Sequence, residues 1–307
     1  MAGSGFNKNY RDGGGGLAAG ANNATRTFSS GEVYEGGGGG SYFADSVPVG
    51  YWNMEDGSGA TVSDVSSAGN SLDGTRVGTS GDDGPDWDSV NKVRGSYSLA
   101  FDDGSGNSVQ IEDNDALDFN TTDAFSISCW IKRDTLAGMD GTGGLVTKMA
   151  QFGQGDDVIY EGYSLYLGST QEQPAFLLYR QPSTAQQLRV TGGPSNLIED
   201  LNWHHIVATY NGDPQLSGVK IYFDGEALTT ALVTDNLGPE DDIVNSTKLC
   251  FGAFISQTTP EPDTTIYEFS GNMDEIAIFS KELSAEEVTA LYNEGNGNDL
   301  TNGIPSA

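Results

Sequence analysis

From Val49 onward, apolar and polar residues alternate in short runs broken by Gly, Asp, Asn and Pro. In FSISCWIKR (125–133), Phe125, Ile127, Cys129 and Ile131 stand against Ser126, Ser128, Trp130 and Lys132. A period of two sends alternate side chains to opposite sides of a strand. YSLYLG (163–168), AFLLYR (175–180), VKIYFDGEAL (219–228), KLCFGAF (248–254) and NMDEIAIF (272–279) are further strands of this set, and Asp224-Gly225 predicts a tight hairpin turn. Short strands at regular turn spacing predict an all-β protein, a two-sheet antiparallel sandwich. One segment breaks the pattern. SAEEVTALYNEG (284–295) places Val288, Leu291 and Tyr292 on one face behind a capping box of Ser284 and Glu287, which predicts a single short C-terminal helix ending near Gly295.

The alternation fails before residue 48. Residues 1–50 hold 14 of the 43 glycines, in runs such as 13–16 and 36–40, interrupted by Phe6, Tyr10, Phe28, Tyr34, Tyr42 and Phe43. Such a segment cannot bury enough apolar area to offset its own backbone entropy. It is either a solvated tail or an arm held by another surface. The expectation taken here is an extended Gly-rich arm over 1–48, docked on a neighbouring subunit with those six aromatics as anchors. It precedes a sandwich domain over 49–295 and a tail over 296–307.

Charge narrows the choice of partner. With 44 acidic and 14 basic residues the formal net charge is −30, which repels nucleic acid and anionic membranes. The first residues show no basic stretch followed by an apolar core, so no secretory signal is expected, and no apolar run has the length of a membrane span. The only two cysteines, Cys129 and Cys250, sit in apolar runs and read as buried free thiols.

Both histidines of the chain, His204 and His205, are adjacent in NWHHIVATYNG (202–212). Neighbours on a strand point to opposite faces, so the pair cannot converge on one metal or one substrate atom; both are expected to pack. Glycoside cleavage requires two carboxyl groups across the scissile bond. The two Glu-x-Asp triplets, Glu240/Asp242 and Glu261/Asp263, are followed three residues on by Asn245 and Ile266, where a glucanase would place a third carboxylate. Neither a nucleophile elbow nor a phosphate-cradling loop is present. No catalytic residue is assigned.

Several ordered motifs together resemble a known family. GYWNMEDGSGATVSDVSSAGNSLDGT, SYSLAFDDGSGNSVQI, FSISCWIKR, LNWHHIVATYNG and FSGNMDEIAIFSKELSAEEVTALYNEG are similar to the laminin-G-like jelly roll of the concanavalin A-like lectin/glucanase superfamily, over about residues 49–294. The resemblance implies two antiparallel sheets packed face to face. It also implies a structural Ca2+ between the first and last strands, with Asp64 and Asp274 as side-chain ligands and Asp56, Asn70 and Asp73 as weaker ones. These residues are equally what ordinary turns use. GDDGPDWD (81–88) sets Trp87 between acids, where it either faces the core or stacks on a sugar ring.

A Gly-rich arm ahead of such a domain, without an export signal, resembles virion surface proteins of tailed bacteriophages. The expected function is therefore a non-enzymatic virion structural or recognition protein, a capsid decoration or tail appendage made in the host cytoplasm. Its partners would be other virion proteins through the arm, in an oligomer or larger assembly, and host-surface glycan through rim loops. A secreted carbohydrate-binding adhesin and a glucanase-type hydrolase are the alternatives.

Overall fold

The computed structural model describes residues 33–35, 41–78, 83–102, 104–136, 142–152, 159–168, 172–180, 186–193, 198–256 and 264–306. Two large sheets form the body. The eleven-stranded sheet runs, edge to edge, Thr230–Asp235, Gln186–Gly192, Pro174–Arg180, Ile159–Leu167, Gly143–Phe152, Leu249–Phe251, Ser108–Ile111, Gly74–Val77 and Thr61–Val62; Phe254–Ser256 and Thr264–Ile266 add to it off this path. The eight-stranded sheet runs Glu226–Ala227, Val219–Phe223, Trp203–Tyr210, Phe125–Arg133, Gly271–Phe279, Ser98–Phe101 and Asp86–Asp88, with Gly50–Trp52 paired to Gly271–Phe279. All pairings are antiparallel except that of Phe254–Ser256 with Gly143–Phe152. The all-β sandwich read from the sequence is the fold.

Alternation builds the core between the sheets. Phe125, Ile127, Cys129 and Ile131 from one sheet meet Tyr163, Leu165, Phe176, Leu178, Leu188 and Val190 from the other. Phe125 is the hub of an aromatic cluster, 4.6 Å from Phe119 in a stacked pair and 5.1 Å from Tyr163. A β-bulge keeps Gly271–Phe279 in phase: Asp274 faces Trp130 and Ala277 faces Ser128, so Glu275 and Ile276 oppose Cys129 alone. Glu275 takes the positive φ of 50° that the extra residue demands. Met273, Ile276 and Ile278 thereby all reach the same core.

The helix is Ala285–Tyr292 (α1), and its capping box is in place: Ser284 Oγ accepts from Glu287 N–H at 3.2 Å, and Glu287 Oε2 accepts from Ser284 N–H at 2.9 Å. The C-terminal boundary falls slightly before Gly295, because Asn293 turns into the left-handed region at φ 47°. Val288 and Leu291 bury against Tyr51, Val207, Ala277, Phe279 and Leu283, on the side of the eight-stranded sheet turned away from the core. This cover is why Ser126, Ser128 and Trp130, the polar phase of FSISCWIKR, are buried too. Cys129 and Cys250 are buried free thiols, one in each sheet.

The structural body is wider at both ends than the expected 49–295. Leu300 and Ile304 bury in the α1 cluster and Phe43 packs on it. Tyr42 bridges Pro305, Phe43 N–H donates to the Ile304 carbonyl at 3.0 Å, and Val33–Glu35 hairpins back onto Ser41–Phe43. Apolar side chains on both terminal segments supply the reason, since neither segment buries them alone. Among the described residues no helix is long and apolar enough to cross a membrane.

Candidate functional site

Strand Ile159–Leu167 sends Tyr163, Leu165 and Leu167 inward, which leaves Tyr160 and Tyr166 on the outer side of the eleven-stranded sheet. Pro174–Arg180 sends Phe176 and Leu178 inward and leaves Ala175, Leu177 and Tyr179 outward. Register sets them side by side: Ser164, Leu177 and Arg189 form one cross-strand row, and Gly162, Tyr179 and Gln187 the next. Gly162 is required there. Its φ is 128°, and a Cβ would come within 2.0 Å of the Lys148 carbonyl oxygen.

The outward residues surround a hollow of about 250 Å³, lined by Thr142, Met149, Tyr160, Tyr166, Leu177, Tyr179, Gln187, Arg189, Phe254 and Tyr267. Its rim is nearly continuous in aromatic edges. Tyr179 meets Tyr160 at 5.6 Å, Tyr267 meets Phe254 at 5.6 Å, and Phe254 meets Tyr166 at 6.2 Å, all T-shaped. Burial, together with the hydrogen-bonded Tyr267, raises the Tyr160 phenol pKa, and burial raises that of Tyr179. Burial also raises Tyr166, against the opposing pull of Arg189. The Tyr160, Tyr166 and Tyr179 phenols therefore stay protonated at neutral pH. The Arg189 guanidinium lies over the Tyr166 ring, 5.7 Å from its centroid. Rigid strands thus hold an apolar floor, a set of hydroxyls, one amide and one cation. That mixture suits a ring-shaped ligand with an apolar face and polar edges.

The histidines are built into the sandwich. His205 is buried between Trp130, 4.9 Å away in a stacked pair, and Ser128, whose Oγ is 2.8 Å from Nε2. Burial pushes its pKa down to about 3. His204 lies on the opposite side of the strand, stacked on Phe223 at 4.6 Å, with Nδ1 2.8 Å from Asp224 and Nε2 2.9 Å from Asp200. Burial works against its charge, but the two carboxylates prevail and raise its pKa. Trp87 packs against the core edge, donates to the Gly59 carbonyl at 3.1 Å and lies under Arg76, so its core-facing alternative is the one the structure shows.

The five residues considered for a cation are turned to backbone donors. Asp64 accepts from Tyr51, Ser66 and Leu72 N–H, and Asp73 accepts from Asp64 N–H. Asp56 accepts from Ser63 N–H and Oγ–H, while Asn70 donates to the Val49 carbonyl. Asp274 accepts from Val93 and Glu275 N–H; burial, with the charge of Glu275 beside it, pushes its carboxyl up to about 8. Burial likewise lifts Glu275 to about 7, although the Tyr51 hydroxyl and Arg94 oppose this. Among the described residues no three His, Cys, Asp or Glu side chains are grouped so as to hold a metal ion. In this arrangement the five side chains organise the loops through backbone hydrogen bonds. Of the expected arm anchors, Phe6, Tyr10 and Phe28 lie outside the described residues, and Tyr34 is described only through its strand pairing. Tyr42 forms a backbone bridge to Pro305, and Phe43 packs against the α1 cluster of its own chain.

The chain belongs to the concanavalin A-like lectin/glucanases superfamily: the Laminin_G_3 family model matches residues 103–289. No curated protein matches the chain. Among solved structures it is similar to the binding domain of Paraclostridial Mosquitocidal Protein 1, with a TM-score of 0.54, 17% identity, and coverage of 80% of this chain and 52% of that one. It is also similar to the botulinum neurotoxin serotype G binding domain, at 0.51 and 15%, covering 80% and 50%. A third is the ligand binding domain of botulinum neurotoxin serotype D, solved in complex with N-acetylneuraminic acid, at 0.51 and 16%, covering 80% and 50%. The chain spans about half the length of these structures, and at such identities the likeness is one of fold.

None of the residues lining the hollow was singled out from the sequence as a binding residue. The signal was present, however. In AFLLYR both phases of the alternation are apolar or aromatic as far as Tyr179, and YSLYLG sets Tyr166 on its second phase; a strand with one face in solvent does not need Tyr166, Leu177 and Tyr179 there.

Proposed function

We propose that this chain is a non-enzymatic carbohydrate-recognition module and that the tyrosine-lined hollow is its ligand site. One observation carries this reading: large aromatic side chains, each with a polar tip, ring a cavity on the outer side of a rigid sheet. Apolar C–H faces of a sugar ring stack on aromatics, and its hydroxyls take phenol, amide and guanidinium partners. Among the described residues that line the hollow none is Asp or Glu, which favours binding over hydrolysis, a reaction that requires a carboxyl pair. The serotype D domain solved with N-acetylneuraminic acid gives a precedent for a saccharide ligand among proteins that include this sandwich.

The test is a glycan array followed by calorimetry of the strongest binder with the full chain and with Tyr179→Ala. At least a tenfold loss on Tyr179→Ala is expected, with no release of reducing ends from any bound oligosaccharide. Unchanged affinity in Tyr179→Ala would overturn the reading, as would the absence of any glycan binder.

A second role is compatible with the first. The hairpin of Val33–Glu35 and Ser41–Phe43 is tied to Pro305 and Ile304, so tension on residues N-terminal to it would be borne by the folded body. This favours an attachment role for the leader, in a virion surface protein of tailed-phage type or another assembly. Deleting residues 1–32, which spares the hairpin, is expected to abolish incorporation into the assembly while leaving glycan binding intact.

A further inference from the structure

Resting on the saccharide reading, we infer that the hollow selects an anionic saccharide, one bearing a carboxylate or sulfate, and that Arg189 is the residue that determines this specificity. Arg189 is the one basic side chain among the described residues that line the hollow. Acidic residues outnumber basic ones 44 to 14, and Arg76, Arg94, Lys148 and Arg180 all pair with carboxylates. Arg189 pairs with no carboxylate among the described residues; its guanidinium hydrogen-bonds the Tyr166 hydroxyl, and its Nε has no acceptor.

Among the described residues, the groups around it do not supply an anion. Across the strands Arg189 faces Leu177 on one side and Thr234 on the other, with Gln187 and Thr191 as its same-face neighbours along the strand. The remaining lining residues are aromatic, apolar or neutral polar. The Tyr166 ring holds the guanidinium from one side, which fixes the fork without neutralising it. A planar, fixed guanidinium matches carboxylate and sulfate oxygens with paired N–H donors. At 250 Å³ the cavity falls below the roughly 300–1,000 Å³ typical of drug-sized ligands, so it suits one acidic ring rather than several. The net charge of −30 opposes an approaching anion at long range. At physiological salt, however, that field is screened beyond about 8 Å, and the nearest charge decides.

The competing account is that Arg189 merely props the Tyr166 ring. Calorimetry separates the two with matched probes: sialyllactose against lactose, galacturonate oligomers against galactose oligomers, and a sulfated against an unsulfated disaccharide. Within each series the acidic member should bind the full chain about 10- to 100-fold more tightly, the worth of one charge-assisted hydrogen bond. Whichever series shows the larger ratio tells carboxylate from sulfate. Arg189→Gln should erase that ratio while retaining the neutral member, and Arg189→Lys should restore part of it. Equal binding of acidic and neutral members overturns the inference, as does an Arg189→Gln variant that weakens both equally with unchanged thermal stability. Failure of the parent reading looks different: Tyr179→Ala leaves all binding intact, or no probe in any series binds, and either result overturns both.

Discussion

The two sheets carry apolar side chains on their outer as well as their inner sides, and the outer sides are treated differently. On the eight-stranded sheet, Val207, Tyr222, Ala277 and Phe279 disappear beneath α1, Leu300 and Ile304. On the eleven-stranded sheet, Tyr160, Tyr166, Leu177, Tyr179 and Phe254 border a hollow with Arg189, and no helix covers them among the described residues. Chemistry follows cover. On the lidded side the Ser126 hydroxyl is satisfied internally, donating to the Lys281 carbonyl and accepting from Leu283 N–H. The open side uses rings with polar tips. An apolar outer surface therefore has two meanings in one molecule: a seat for the chain's own segments and a seat for a ligand.

This contrast can be broken by mutation. The largest effect is expected on the lidded side, where Phe279→Ala should cost about 3–5 kcal/mol in chemical denaturation, for lost burial plus the cavity left behind. Tyr179→Ala on the open side should cost about 1 kcal/mol or less, with its main effect in glycan affinity. A Tyr179 variant as destabilised as Phe279→Ala would erase the distinction. Next comes the lid's own anchor. Ser284→Ala removes the N-cap of α1 and should cost about 0.5–2 kcal/mol, with hydrogen exchange accelerated in α1 and not around the hollow.

A smaller effect depends on pH. The folded pKa of His205, at about 3, lies below its ordinary 6.5, so the unfolded chain takes up a proton that the folded one refuses. Its contribution to stability is present above pH 6.5 and is lost as pH falls towards 3. Asp274 and Glu275 have the opposite sign. Raised to about 8 and 7, they contribute at low pH and lose that contribution as pH rises through those values. The stability gap between the native chain and His205→Gln should therefore narrow steadily from pH 7 to 4 in denaturant titrations. A gap constant with pH would assign the effect to packing against Trp130 alone. Last, the melting midpoint tests the calcium expectation: a rise in millimolar calcium that a chelator reverses supports it, and an unmoved midpoint removes it.

Much of the sandwich was legible because burial enforces a period of two. FSISCWIKR, YSLYLG and AFLLYR each announced an inward phase, Asp224-Gly225 announced its turn, and Ser284 with Glu287 announced α1. The cover over Trp130 was not legible, because α1 arrives from more than 150 residues away in sequence. The terminal segments were misjudged for a similar reason: Phe43 and Ile304 each look isolated until the fold joins them. Asp64 read as a ligand because a carboxylate that gathers N–H groups and one that gathers a cation look identical in sequence. The hollow was half legible. Its tyrosines could be read from the doubly apolar strands, but the placing of Arg189 over Tyr166 depends on register across three strands.

The two free thiols give the molecule a built-in pair of reporters. Cys129 lies in one sheet and Cys250 in the other, and burial drives both thiols up, that of Cys250 to about 12. Neither can react with an alkylating probe until its own layer parts. Labelling rates at the two sulfurs would therefore time the separation of each leaf, and a saccharide seated on one leaf should slow Cys250 more than Cys129.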